Sequence, residues 1–211
     1  MITLTGGKLK LVEAALRLCT KSRSLTSLSL REVAREAGLN PNTFYRHFRN
    51  LDDFGLVVLG HLAGEMKQAV RELRQSAQTH DQAAHDTVRW VFGYFQENPA
   101  ATTVAVRELN GPSSVLRRAL ENQLEASARE MAEDIIERDL VPGLDTATIH
   151  EISQMTIRYI LFRALEYVEK PEQRERIQGE TERFINRQFR GALVESTPLE
   201  TLASGMPNES R

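Results

Sequence analysis

Apolar residues recur every three or four positions along almost the whole chain, the spacing of a helix with one buried face. Strict alternation closed by hairpin turns, the mark of a half-buried strand, is not found, so the pattern predicts an all-α protein. In KLKLVEAALRLCT, Leu9, Val12, Leu16 and Cys19 form one stripe and predict a first helix. The Ser- and Thr-rich KSRSLTSLS (21–29) follows as a loop. A long helix is expected from about Leu51 to Ser76, with Asn50 as N-cap and Asp53 three residues on. Further helices are expected at 81–97, 99–109, 114–140, 145–169 and 172–193. Their ends are set by Asn98-Pro99, Asn110-Gly111-Pro112, Pro142-Gly143 and Pro171. Residues 195–211 have no periodicity and are expected to be a disordered tail. No internal repeat is visible.

Between the first helix and the long one lie two short helical patterns, SLREVAREAG and LNPNTFYRHF. Ser29 and Glu32 make a capping box, and Leu30, Val33, Ala34 and Ala37 form the buried stripe, leaving Arg31, Arg35 and Glu36 outside. Gly38 suits the left-handed position that ends a helix. Asn40 before Pro41 is an N-cap followed by a proline at the first helical position. Phe44 and Phe48, four apart, anchor the second pattern, which leaves Asn42, Thr43, Tyr45, Arg46 and His47 on its outer surface.

Charge changes the picture of this short unit. The 211 residues carry a net charge of −2, but residues 1–50 hold nine Lys/Arg against three Asp/Glu, and the rest eighteen against twenty-six. A basic end on an acidic body suggests that only the first quarter meets a polyanion, although solvated helix faces can also cluster charge. The single cysteine, Cys19, excludes an intrachain disulfide and a cysteine-based zinc site, and a reducing cytoplasm fits. No apolar run approaches the ~18 residues of a membrane span, and the first residues lack the apolar core of a secretory signal.

Two short helices, a glycine turn and a polar outer face match a helix-turn-helix whose second helix enters the major groove of double-stranded DNA. Arg46 suits guanine or phosphate, Asn42 adenine, and Thr43 a base edge or a thymine methyl, whereas Tyr45 and His47 suit phosphate oxygens. Ser29, Arg31, Asn40 and Arg49 complete the candidate DNA-facing set. An ordinary helical hairpin with a solvated face is the plainer reading of the same pattern.

SLREVAREAGLNPNTFYRHFRNLDDF resembles the DNA-binding segment of TetR-family repressors. It shares their Ala-x-x-Ala-Gly turn (Ala34 to Gly38) and their Tyr-x-His-Phe run (Tyr45 to Phe48), and VEAALRL matches their first helix. The likeness covers about the first 60 residues. With RELNGPSSVLRRAL (107–120), it is closest to FabR- and DesT-type repressors of unsaturated fatty-acid synthesis. Many of these proteins carry a phosphate-binding lysine where this chain has Leu51. Here the helix N-terminus or Arg49 would have to substitute.

The resemblance implies a DNA-binding domain at 1–50, a helical ligand-binding and dimerisation domain at 51–194, and a homodimer on a palindromic operator. Trp90, Tyr94, Phe95, Val104, Met131, Met155, Tyr159 and Phe162 are candidates to line an apolar pocket, though plain core would carry the same residues. Arg107 is added as a possible holder of a ligand's polar head, and Arg107 and Glu108 could equally pair internally. Helix 145–169 is apolar on most sides, so Ile157, Leu161 and Leu165, with Phe184 and Phe189 of the last helix, are the expected dimer interface.

No catalytic residues, cofactor or metal are expected. His80 and His85 are five residues apart, about 500° around a helix, and do not share a face. No Gly-rich phosphate loop, G-x-S-x-G elbow or H-E-x-x-H pair is present. The expected function is a cytoplasmic repressor sensing a hydrophobic molecule, with a fatty acyl-coenzyme A thioester as the leading effector. The alternatives are an efflux or catabolic repressor sensing aromatic or drug-like compounds, and a ligand carrier that binds no DNA.

Overall fold

A computed structural model describes residue 4, residues 6–19 and residues 24–196, the side chains of residues 62 and 65 excepted. Among them the fold is all helical: α1 (Gly7–Cys19), α2 (Leu30–Glu36), α3 (Pro41–His47), α4 (Leu51–Ser76), α5 (His80–Glu97), α6 (Pro99–Glu108), α7 (Ser114–Glu137), α8 (Thr146–Glu169) and α9 (Arg174–Ser196). Single 3-10 turns stand at Leu25–Ser27 and Pro171–Gln173.

The local signals explain most boundaries. Ser29 Oγ accepts the Glu32 N–H at 3.1 Å and Asn40 Oδ1 the Asn42 N–H at 2.9 Å, so both short helices start where their caps stand. Gly38, with φ +67°, lets the Leu39 N–H reach the Ala34 carbonyl at 2.9 Å and closes α2. The same device ends α7 early. Asp139 takes φ +48° and the Leu140 N–H bonds the Ile135 carbonyl at 3.1 Å, so the helix stops at Glu137 and not near residue 140. Residues 195 and 196, expected in the tail, finish α9, and residues 197–211 lie outside the described residues.

Two apolar clusters organise the fold. The first joins Leu11, Val12, Ala14, Ala15, Val33, Ala34, Phe44 and Phe48 to Phe54 and Val58 of α4, and to Val104, Leu116 and Leu120. In α1 the buried stripe includes Leu11, Ala14 and Ala15, while Leu9 and Leu16 are only half-buried. The second cluster, from Ala84 to Phe189, fills the body between α5, α7, α8 and α9. Packing does not break at residue 50, because α4 belongs to the first cluster at its start and supports the second with Met66 and Val70.

Candidate DNA-binding surface and effector cavity

Helix α3 is held by an aromatic cluster. Phe44 lies 5.1 Å from Phe48 and 5.2 Å from Phe54, and Phe48 lies 4.9 Å from Phe54, all three buried. Each such side chain contributes roughly 1.5–3 kcal/mol by burial alone, ample to fix a helix of two turns. Tyr45, 59% exposed, projects from the opposite face with Asn42 and Arg46, and Arg31 and Arg49 are exposed nearby in sequence. Among the described residues, Arg31, Arg35, Arg46 and Arg49 have no ion-pair partner, so their charge is available to a polyanion.

Two expected surface residues sit differently. Thr43 and His47 are half-buried against the start of α1, where a Cβ on Gly7 would lie 3.3 Å from His47 Nε2 and 3.7 Å from Thr43 Cγ2. Helix α1 covers one flank of α3, which a pattern read from α3 alone does not reveal. Ser29 and Asn40 spend a side-chain oxygen on caps. At the start of α4, Asn50 takes the Asp53 N–H at 2.8 Å and Asp53 takes the Arg49 N–H at 3.0 Å. With Asp52 and Asp53 in its first turn, this helix terminus disfavours an anion, whereas the Arg49 side chain beside it is exposed and cationic.

The body encloses a cavity of about 310 Å³ walled by α4 to α9. Its lining is mostly apolar and reaches solvent beside the exposed Leu56 and Lys67. Lys67 pairs with Glu130 at 2.5 Å, and Arg74 with Asp134 at 2.8 Å, the second pair almost fully buried. His80 also lines the wall, 4.2 Å from Phe189. Burial pushes its pKa below the ordinary value, against the pull of Asp81.

Of the pocket candidates, Tyr94, Phe95 and Met131 stand in the cavity wall. The other pocket candidates do not. Trp90 stacks on Tyr94 at 5.6 Å from behind, and Val104 packs into the first cluster. Tyr159 stacks on Phe184 at 4.0 Å and accepts an Arg163 hydrogen bond at 3.0 Å. Met155 and Phe162 are 53% and 76% exposed. Arg107 is outside the lining, and it does not pair with Glu108.

The interface candidates shift in the opposite sense. Ile157 and Leu161 line the cavity, and Phe189 is buried against His80, while Leu165 and Phe184 stay half-buried. Helix α8 therefore turns Thr156, Ile157, Ile160 and Leu161 inward and Met155 and Phe162 outward. Its apolar residues cover both sides, so their spacing does not fix which side faces in.

Three contacts have no signature in the local sequence pattern: Arg74 with Asp134, Ser113 with Asp52, and Glu108 with the Leu25 N–H at 2.6 Å. Ser113 was findable as an N-cap after Gly-Pro, but its partner and the other two pairs join residues at least 60 positions apart. His80 and His85 stay apart in role, His85 meeting Glu182 at 3.0 Å. Among the described residues no group of three His, Cys, Asp or Glu could hold a metal, and no helix is long and apolar enough to cross a membrane.

Residues 11–54 match the family model described as bacterial regulatory proteins, TetR family. The fold resembles the fatty acid degradation regulator FadR from Bacillus halodurans, with 17% identity and a TM-score of 0.72 over 89% of this chain and 97% of that one. It also resembles FadR from Bacillus subtilis in complex with stearoyl-CoA (16%, 0.68, 86% and 97%) and a transcriptional regulator from Rhodococcus sp. Rha1 (18%, 0.69, 92% and 100%). The helix-turn-helix of this chain is thus similar to the DNA-binding segment of bacterial TetR-family regulatory proteins, and its fold throughout is similar to that of solved transcriptional regulators.

Proposed function

We propose that this protein is a TetR-like transcriptional repressor that binds a palindromic operator as a homodimer and releases or grips it according to a hydrophobic effector, most simply a fatty acyl thioester. The observation that carries this reading is the apolar cavity of about 310 Å³ with one side open to solvent. A long chain can lie inside while a polar head stays outside, and the size is at the small end of ligand pockets. Stearoyl-CoA is bound by the Bacillus subtilis neighbour, and the 107–120 segment resembles the unsaturated fatty-acid repressors, which supports the same effector class. The exposed Met155 and Phe162, seven residues apart on α8, support a second subunit on that face, with the half-buried Leu165 and Phe184 as further candidates.

In this reading Arg46 and Asn42 touch base edges and Tyr45 a phosphate. Arg46→Ala or Asn42→Ala then costs ~1–3 kcal/mol and relaxes preference at one operator position, whereas Tyr45→Phe weakens all sequences alike. Binding to single-base variants of the operator separates the two outcomes.

The effector is tested by operator affinity with matched 16- or 18-carbon saturated and unsaturated acyl-coenzyme A, with free coenzyme A as control. Each buried CH₂ adds ~0.8 kcal/mol, so affinity should climb with chain length until the cavity is full. By likeness to the DesT type, unsaturated chains strengthen operator binding and saturated ones weaken it. Equal affinity with all three ligands discards the acyl reading. A response to aromatic or drug-like compounds would then favour an efflux or catabolic operon.

A further inference from the structure

The corner between α6 and α7 holds the helix-turn-helix on both of its flanks. At the end of α6, Glu108 is fully buried and its Oε1 accepts the Leu25 N–H at 2.6 Å. Leu25 opens the 3-10 turn that leads to Ser29, the N-cap of α2. Further along the same corner, Ser113 donates its hydroxyl to Asp52 Oδ1 at 2.7 Å, in the first turn of α4 just beyond α3. The same Ser113 oxygen accepts the Leu116 N–H at 3.2 Å and starts α7. One hydrogen bond thus grips the chain before α2, and another grips it after α3.

The corner is tightly built. A Cβ on Gly111 would stand 2.6 Å from Glu108 Oε2 and 3.2 Å from Glu108 Cα, so the turn packs directly on that side chain. The Gly111 carbonyl accepts a hydrogen bond from Arg117 of α7. Packing this close transmits displacement instead of absorbing it. Upstream, Ala101, Thr102 and Ala105 of α6 are part of the cavity wall, Ala105 less than one turn before Glu108. An occupant that shifts α6 therefore shifts Glu108, and with it Leu25. Stability alone is a poor reason for this residue, because Glu108 Oε2 is buried with no hydrogen-bond partner among the described residues.

We propose that Glu108 and the Ser113–Asp52 pair are the positioning contacts through which occupancy of the cavity sets the angle of the helix-turn-helix. The proposal rests on the cavity being an effector site; the two-sided grip does not. Small shifts can have large effects here, because both recognition helices must stay in register with the operator.

The test uses the full chain and DNA from upstream of its own gene. Glu108→Leu and Asp52→Ala each remove one grip and leave the cavity wall untouched, while Glu108→Gln and Asp52→Asn keep an acceptor oxygen. Glu108→Leu should speed amide exchange at Leu25 by at least ~10-fold, with palmitoyl- and oleoyl-coenzyme A binding within about twofold of the parent. The DNA affinity of Glu108→Leu/Asp52→Ala should no longer respond to either thioester, and the two conservative variants should respond like the parent. Should Glu108→Leu not fold, Asp52→Ala alone serves as the released protein. A ligand-free arm uses Ala105→Phe, which intrudes into the cavity and displaces α6. Its effect on DNA affinity in the parent should vanish once the grip is gone, a non-additivity of at least about fivefold. If the parent binds neither thioester, the acyl reading fails and the Ala105→Phe arm alone decides. The proposal is overturned if Ala105→Phe acts by the same factor with and without the grip, if it leaves the parent's DNA affinity unchanged, or if the released protein still responds to ligand.

Discussion

Helices α3 and α8 both carry apolar residues at helical spacing, yet α3 buries one face and α8 has apolar residues on two sides. In α3, Phe44 and the following Phe48 enter a dense cluster, and Asn42, Tyr45 and Arg46 are left to solvent. In α8, Ile157 and Leu161 face a cavity and Met155 and Phe162 face outward. The difference follows from what each region must do. A DNA-reading helix needs a rigid back and a polar front. In the proposed function, a helix beside an effector cavity needs an apolar wall, and its outer side meets a second subunit. One region is filled with protein; the other leaves room for something else.

Phe44→Ala should be the most damaging change, because it empties the centre of the filled region. A loss of ~3–5 kcal/mol is expected, with DNA binding abolished and the second cluster still folded. Urea unfolding followed at Trp90, which sits in the body, against amide exchange in α1 to α3 would show the split. A single transition in which both regions fail together would erase the contrast between them.

Ala→Leu at two sites sharpens the comparison directly. Ala34 is fully buried in the first cluster, so Leu there should overpack and cost ~1–3 kcal/mol. Ala63 lines the cavity, where the added carbons find space, so the same change should be neutral or stabilising and should weaken effector binding. Thermal melts of both variants decide the point, and an equal loss at both sites would mean that the cavity wall is as tightly packed as the first cluster.

On the outer side of α8, Phe162→Glu should change protomer stability by less than ~0.5 kcal/mol, since that side chain is 76% exposed. The proposed dimer should nevertheless dissociate, which sedimentation at micromolar concentration would detect. Leu161→Arg, on the inner side, should instead disrupt folding or effector binding.

The smallest effect concerns Glu108, whose carboxyl is held above its ordinary value of 4.5 chiefly because burial penalises its charge; the Leu25 N–H pulls the other way. A raised folded pKa means that the folded state binds the proton more tightly than the unfolded one. The charge therefore opposes folding at neutral pH, and this opposition fades as the pH falls through the folded value towards 4.5. Glu108→Gln should be slightly more stable than the parent at neutral pH, with the gap closing near pH 4.5. Denaturant titrations at the two pH values test the sign.

What the sequence determined by itself is local. Caps at Ser29, Asn40 and Asn50, the glycine at 38 and the Phe44–Phe48 pair act within a few residues of themselves, so they placed α2, α3 and the start of α4. The outer face of α3 was legible because one phase of its pattern is unambiguously apolar, except that α1 covers the flank with Thr43 and His47. The role of α8 was not legible, because two apolar sides give no indication of which one faces the protein interior. That choice belongs to the helices packed around it, which place Ile157 and Leu161 at the cavity and Phe162 in solvent. Tertiary structure alone also joined Glu108 to Leu25 and Ser113 to Asp52. These contacts span 83 and 61 residues, and no local spacing rule connects groups that meet only after the whole chain has folded.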